Sequence, residues 1–157
     1  MKASSGTYSL LARLVHWTNA LLIIFLYFSG EAAEHGGGLG YQAHVVLGLV
    51  CLALTLVQIG LYLFGPKPAA LEGLSWFRKQ AIHWNHRLIL LATFIATASG
   101  AFILLGSDRF EELHESASLP IIVLLLMHVA GVMVYQFTKG NSLGRMAPMI
   151  FGRAQEK

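Results

Sequence analysis

Four long stretches without a single charged residue govern what this chain can become: residues 14–30, 35–66, 88–107 and 116–138, holding 17, 32, 20 and 23 residues. A helix that crosses a bilayer needs about 20 mostly apolar residues, because no water is present there to satisfy bare backbone. Each stretch supplies one such helix once the second is trimmed of its glycine-rich start, His35 to Gly40, which reads as a loop. The expected spans are 11–30, 41–64, 83–105 and 117–138, with breaks at Gly30, Gly65-Pro66, Gly106 and Pro148. Charged residues make up only 12% of the 157 positions, against roughly 25% in soluble domains. What lies outside the spans is too little for a second core. The expectation is therefore an all-α integral membrane four-helix bundle, a single domain over 1–157, and a soluble enzyme is excluded.

With four spans both termini share one side of the membrane. Lys2, Arg13, Lys67, Arg78, Lys79, Arg87, Lys139, Arg145, Arg153 and Lys157 then lie together, and only Arg109 lies opposite. This asymmetry places both termini in the cytoplasm. Six of the eight acids, Glu31, Glu34, Asp108, Glu111, Glu112 and Glu115, fall on the outer side. The first apolar stretch lacks a small-residue cleavage site followed by a soluble domain, so it reads as a retained span rather than a signal peptide. The net charge of +3 contains no basic run longer than Arg78-Lys79, which argues against nucleic acid as a partner. Cys51 stands alone, so disulfides, cysteine zinc clusters and covalent c-type haem attachment are excluded.

Seven histidines are many for such a chain, because imidazoles in a span are costly and face the bundle interior, where they find partners. His16 falls near the cytoplasmic start of the first span and His44 near the outer start of the second. His114 and His128 are 14 residues apart on the fourth, which separates them by roughly 21 Å in depth while leaving them within ~40° of one face. His114 can meet His44 at the outer level, and His128 can meet His16 at the inner level. Two bis-histidine sites result, with Gly48, Ala20 and Gly131 as small neighbours that make room for the edge of a flat macrocycle. Iron held by two imidazoles has no open position, which favours electron transfer over oxygen chemistry. A single intramembrane histidine can equally be a packing residue or proton relay. Zinc is the competing metal, although ligands spread over two levels fit a tetrahedral ion poorly.

His83 and His86 stand at i and i+3 at the cytoplasmic start of the third span, with Arg87 following. Either could replace His16 as a ligand, or both face haem propionates or a quinone headgroup, with a snorkelling interfacial pair as the plainer alternative. Arg13 and Arg87 suit propionates by charge and depth. Trp17, Trp76 and Trp84 read as a cytoplasmic aromatic belt, and His35 as a solvated loop residue.

Taken in order, Arg13-Leu14-Val15-His16-Trp17, His44-Val45-Val46-Leu47-Gly48, His83-Trp84-Asn85-His86, the His114-Glu115 pair with His128, and the tail Asn141 to Pro148 resemble the bacterial cytochrome b561 family, which is related to the b-type cytochrome subunits of nickel-iron hydrogenases. The resemblance covers nearly the whole chain. It implies two b haems, one near each membrane face, held by His16 with His128 and by His44 with His114, moving electrons between ubiquinone or menaquinone and another redox partner. Similar proteins include superoxide oxidases and membrane anchor subunits of extracytoplasmic dehydrogenases or hydrogenases. The acidic outer loops would repel superoxide and suit a basic soluble redox protein instead.

Overall fold

In the computed structural model, which describes residues 7–36, 38–66, 73–139 and 143–148, four long helices run back and forth: α1 (Leu10–Gly36), α2 (Gly38–Phe64), α3 (Trp76–Leu104) and α4 (Glu111–Lys139). A single 3-10 turn, Asp108–Phe110, leads into α4, and a short α5, Leu143–Met146, follows it. All four long helices are long and apolar enough to cross a membrane. The chain is an all-α membrane protein.

The helices overrun the expected spans. Gly30 does not end α1, and the stretch His35 to Gly40, expected as a loop, is helical on both sides of position 37, with Gly38 at a φ of +66° starting α2. Apolar length measures membrane thickness, whereas the backbone ladder continues into polar residues until a residue in the left-handed region stops it. On the third helix, Ser75 is the N-cap, its hydroxyl accepting from Arg78 N at 3.4 Å. His83 and His86 consequently sit two to three turns inside α3 rather than at its start, correcting the expected beginning at 83. Likewise α4 begins at Glu111, so His114 lies in its first turn. Gly106, at a φ of +84°, ends α3 as expected.

Neighbouring helices pack as sequential hairpins, α1 on α2, α2 on α3 and α3 on α4. The small core lies at mid-depth and comprises Ile23, Cys51, Ala96, Ala117 and Ile121. Beside it, Asn19, Thr55, Thr93 and Ser99 are buried polar residues. Leu126, Phe137, Leu21 and Phe28 are among the exposed side chains that face outward, as lipid-facing helices require. Both described chain ends meet at one end of the bundle, where Tyr8 N donates to Arg145 O at 3.2 Å and Trp17 Nε1 to Met146 O at 3.2 Å. That end is called the terminal end here, and the end carrying the α1–α2 and α3–α4 turns the turn end. Lys2, Lys67, Glu72, Asn141, Arg153, Glu156 and Lys157 lie outside the described residues, as do the side chains of Glu31, Glu34, His35 and Lys139.

Nothing lies within 4 Å of a Cβ built on Gly106, so its positive φ alone opposes substitution. Gly106→Ala should destabilise the protein by about 1–2 kcal/mol, measured as a lower unfolding midpoint in detergent; an unchanged midpoint would show that the α3–α4 turn has other ways to close.

Candidate functional site

At the turn end, His44 from α2 faces His114 from α4, with ring centroids 6.1 Å apart and planes at 87°. Each ring is fixed through Nδ1. Ser29 donates its hydroxyl hydrogen to Leu26 O at 3.3 Å, so its oxygen accepts from His44 Nδ1 at 3.0 Å. His114 Nδ1 donates to Ala96 O at 2.7 Å, with Ser99 Oγ at 3.5 Å. A neutral imidazole that donates from Nδ1 presents Nε2 as a free electron pair. The side-chain approach is tight on α3, where a Cβ on Gly100 would stand 2.9 Å from His114 Cε1.

Both rings line a cavity of about 210 Å³, together with apolar residues and Tyr27, Tyr41, Gly48, Cys51, Thr93 and Gly100. A Cβ on Gly48 would meet nothing within 4 Å, so this position opens onto space. Thr93 Oγ1 is buried there without a hydrogen-bond partner among the described residues, leaving a donor for whatever fills the cavity.

At the terminal end three rings converge instead of two. His16 lies 6.2 Å from His128 and 6.5 Å from His86, and His86 lies 6.0 Å from His128. His16 alone of the three has a ring hydrogen bond among the described residues, to Gln58 Nε2 at 3.4 Å. Tyr62 packs 5.6 Å from His86 and its hydroxyl accepts from Arg87 Nε at 3.0 Å, while the Arg87 guanidinium lies 5.3 Å from the Trp84 ring. Arg13 Nε is buried with no partner among the described residues, an orphaned donor beside the cluster. His83 is exposed, one turn from His86 on the same helix and within electrostatic reach of it. Gly131 opens onto empty space as Gly48 does.

Rings at these spacings can hold one metal between them. Two imidazoles bound on opposite sides of an iron at about 2.0 Å each place their centroids roughly 6 Å apart. Among the described residues no group of three or more His, Cys, Asp or Glu side chains converges closely enough to hold an ion by itself. The paired rings would suit a group that takes two imidazole ligands, and the class so defined is a membrane protein with paired imidazoles across its helices. Comparison with known proteins identifies the class further. The profile of the prokaryotic cytochrome b561 family matches residues 7–149, and the chain belongs to that family: it is a membrane b-type cytochrome, whose cofactor is b-type haem with iron. A curated relative, cytochrome b562 of Cereibacter sphaeroides, is 29% identical over 149 residues, covering 87% of this chain and 91% of the relative. No solved structure matches.

Sequence reasoning missed Ser29, Gln58, Tyr62 and Gly100. Ser29 and Gly100 stand 15 and 14 residues from the histidines they touch, and no spacing rule links such positions across helices. Gly100→Ala should push the His114 ring off Ala96 O, costing about 1–3 kcal/mol and lowering bound haem. The ratio of pyridine-haemochrome absorbance to protein checks this, and full haem content would show that the ring can yield without loss.

Proposed function

We propose that the protein carries electrons across the membrane between the quinone pool and a redox partner through two bis-histidine haems, one held by His44 and His114, the other by His16 and His128. The observation that carries the proposal is the pairing of imidazoles at opposite ends of one bundle, with centroids 6.1 and 6.2 Å apart. Haem, when bound, supplies a one-electron iron couple. The protein's part is to present two Nε2 atoms at each level, exclude water and place charge. Hydrogen bonds to Ser29 and Ala96 O hold the turn-end rings in the required tautomer. At the terminal end His16 is preferred over His86 because Gln58 anchors its second nitrogen, whereas His86 leans toward Tyr62. The buried, partnerless Nε of Arg13 suits a propionate.

The excess of Lys and Arg at the terminal end supports its placement in the cytoplasm. Quinone reduction consumes protons as well as electrons, and the Tyr62–His86–Arg87 group is the proposed headgroup site: a phenol and an imidazole that hold and pass protons, with a cation beside them. At the turn end Asp108, Glu111, Glu112 and Glu115 are exposed, a surface that suits a cationic redox protein.

His44→Ala and His114→Ala should remove one and the same haem, and His16→Ala and His128→Ala the other, with His86→Ala retaining both; haem quantification and low-spin spectra of the purified variants decide. Loss of the terminal-end haem in His86→Ala but not in His16→Ala would reverse the assignment.

With both haems retained, His86→Ala should slow quinol-driven haem reduction by about tenfold or more, while His83→Ala, altering an exposed ring, should leave the rate unchanged. Equal rates in wild type and His86→Ala would move the quinone elsewhere. Reduction by a cationic cytochrome should slow as salt rises toward 0.1 M, where the Debye length is about 10 Å; an accelerating effect of salt would point to an anionic donor.

A further inference from the structure

One buried polar chain runs between the two histidine levels. Cys51 Sγ donates to Asn19 Oδ1 at 3.2 Å; Asn19 Nδ2 donates to Thr55 Oγ1 at 3.1 Å and to Gln58 Oε1 at 3.0 Å; Gln58 Nε2 reaches His16 Nδ1 at 3.4 Å. Asn19 is 3% exposed, and Thr55 and Cys51 are fully buried, so the chain is enclosed along its length between them. Its first member, Cys51, lines the turn-end cavity, and its last touches a ring of the terminal-end cluster.

The direction of this chain is a physical problem. In this arrangement both amides donate toward His16, so Nδ1 of that ring accepts and its hydrogen sits on Nε2. Nε2 is the nitrogen that must be bare to bind iron. Gln58 cannot simply turn over, because its nitrogen would then face the Asn19 nitrogen, placing two donors against each other in an apolar interior at a cost of about 1–3 kcal/mol. Asn19 must turn with it. The far end permits this, since a thiol and a hydroxyl each donate or accept, and an amide flip exchanges nitrogen and oxygen with almost no movement of other atoms.

We propose that Asn19 and Gln58 form a reversible hydrogen-bond relay, and that Gln58 is the positioning residue of His16: when His16 binds iron both amides reverse, Gln58 Oε1 accepts from His16 Nδ1, and the change reaches Cys51 at the wall of the other site. In the reversed chain Thr55 donates to Asn19 Oδ1 and Asn19 Nδ2 faces Cys51 Sγ, so the thiol hydrogen leaves Asn19. Nothing is oxidised or reduced in this rearrangement. The accepting amide also makes the bound imidazole a stronger electron donor, which favours the oxidised iron. This inference rests on the proposed ligation of one haem by His16.

Two readouts test it on the detergent-purified full chain. The first is the midpoint of the terminal-end haem. Gln58→Leu should raise it by a shift equivalent to about tenfold in the oxidised-to-reduced ratio, about 59 mV for one electron, leaving the other midpoint in place, and Gln58→Glu, which restores an acceptor, should return it to or below the wild-type value. If Gln58→Leu loses that haem, Gln58→Glu must restore it; loss in both variants, or an unmoved midpoint in a Gln58→Leu protein with both haems, overturns the proposal. The second readout uses the fact that Cys51 is the chain's one cysteine, so the infrared S–H stretch reports it alone. The band should lie at higher frequency in the loaded wild type than in His128→Ala lacking the terminal-end haem, and Asn19→Leu should abolish the difference. An identical band in loaded and unloaded protein overturns the relay. Failure of the underlying ligation looks different: His16→Ala would then keep the haem whose midpoint is being followed.

Discussion

An imidazole in an apolar bundle has two nitrogens to satisfy, and the helix packing of this protein follows from how one of them is satisfied. At the turn end the partners are a serine oxygen on α1 and a main-chain carbonyl on α3, reached by rings from α2 and α4. The four helices are therefore bound together by two histidines whose rings lie 6.1 Å apart. Apolar contacts contribute less specificity here than in a soluble protein, since lipid is as apolar as the core. The core is correspondingly small and lies between the two histidine levels.

The two ends differ in character. The turn-end pair sits against an apolar cavity, with its rings locked by short hydrogen bonds and by the absence of a side chain at Gly100. The terminal end is crowded with polar groups: three imidazoles, Tyr62, Arg87, and an arginine Nε without a partner among the described residues. A rigid, dry site and a polar site with spare donors suit different tasks, one exchanging electrons alone and the other coupling them to protons.

The helix count and the depth matching of His16, His44, His114 and His128 were legible in the sequence, because charge spacing measures membrane thickness and the helical rise converts residue number to depth. The sequence left open whether His83 or His86 joins the inner level in place of His16; that His86 stands with both other rings depends on a helix that the Ser75 cap starts about two turns before 83. Nor were the partners of the rings legible. Ala96 acts through a carbonyl that every residue possesses, and Gln58 in an apolar run reads only as a tolerated polar residue. Gly48, expected to make room for a flat group, lines the turn-end cavity, while the glycines that stand against histidine rings are Gly30 beside His44 and Gly100 beside His114, each on another helix.

His114 and His128 belong to one helix, α4, which continues through Pro120, so the gap between the two histidine levels is set inside a single helix. Lengthening or trimming any loop leaves that gap untouched, because no loop lies between the two residues. A single residue inserted between them would move one ring by about 1.5 Å in depth and swing it about 100° around the helix, carrying it off the face that its opposite ring can reach. The loops at either end can change without altering the interval inside α4, which acts as a fixed ruler between the two histidine levels.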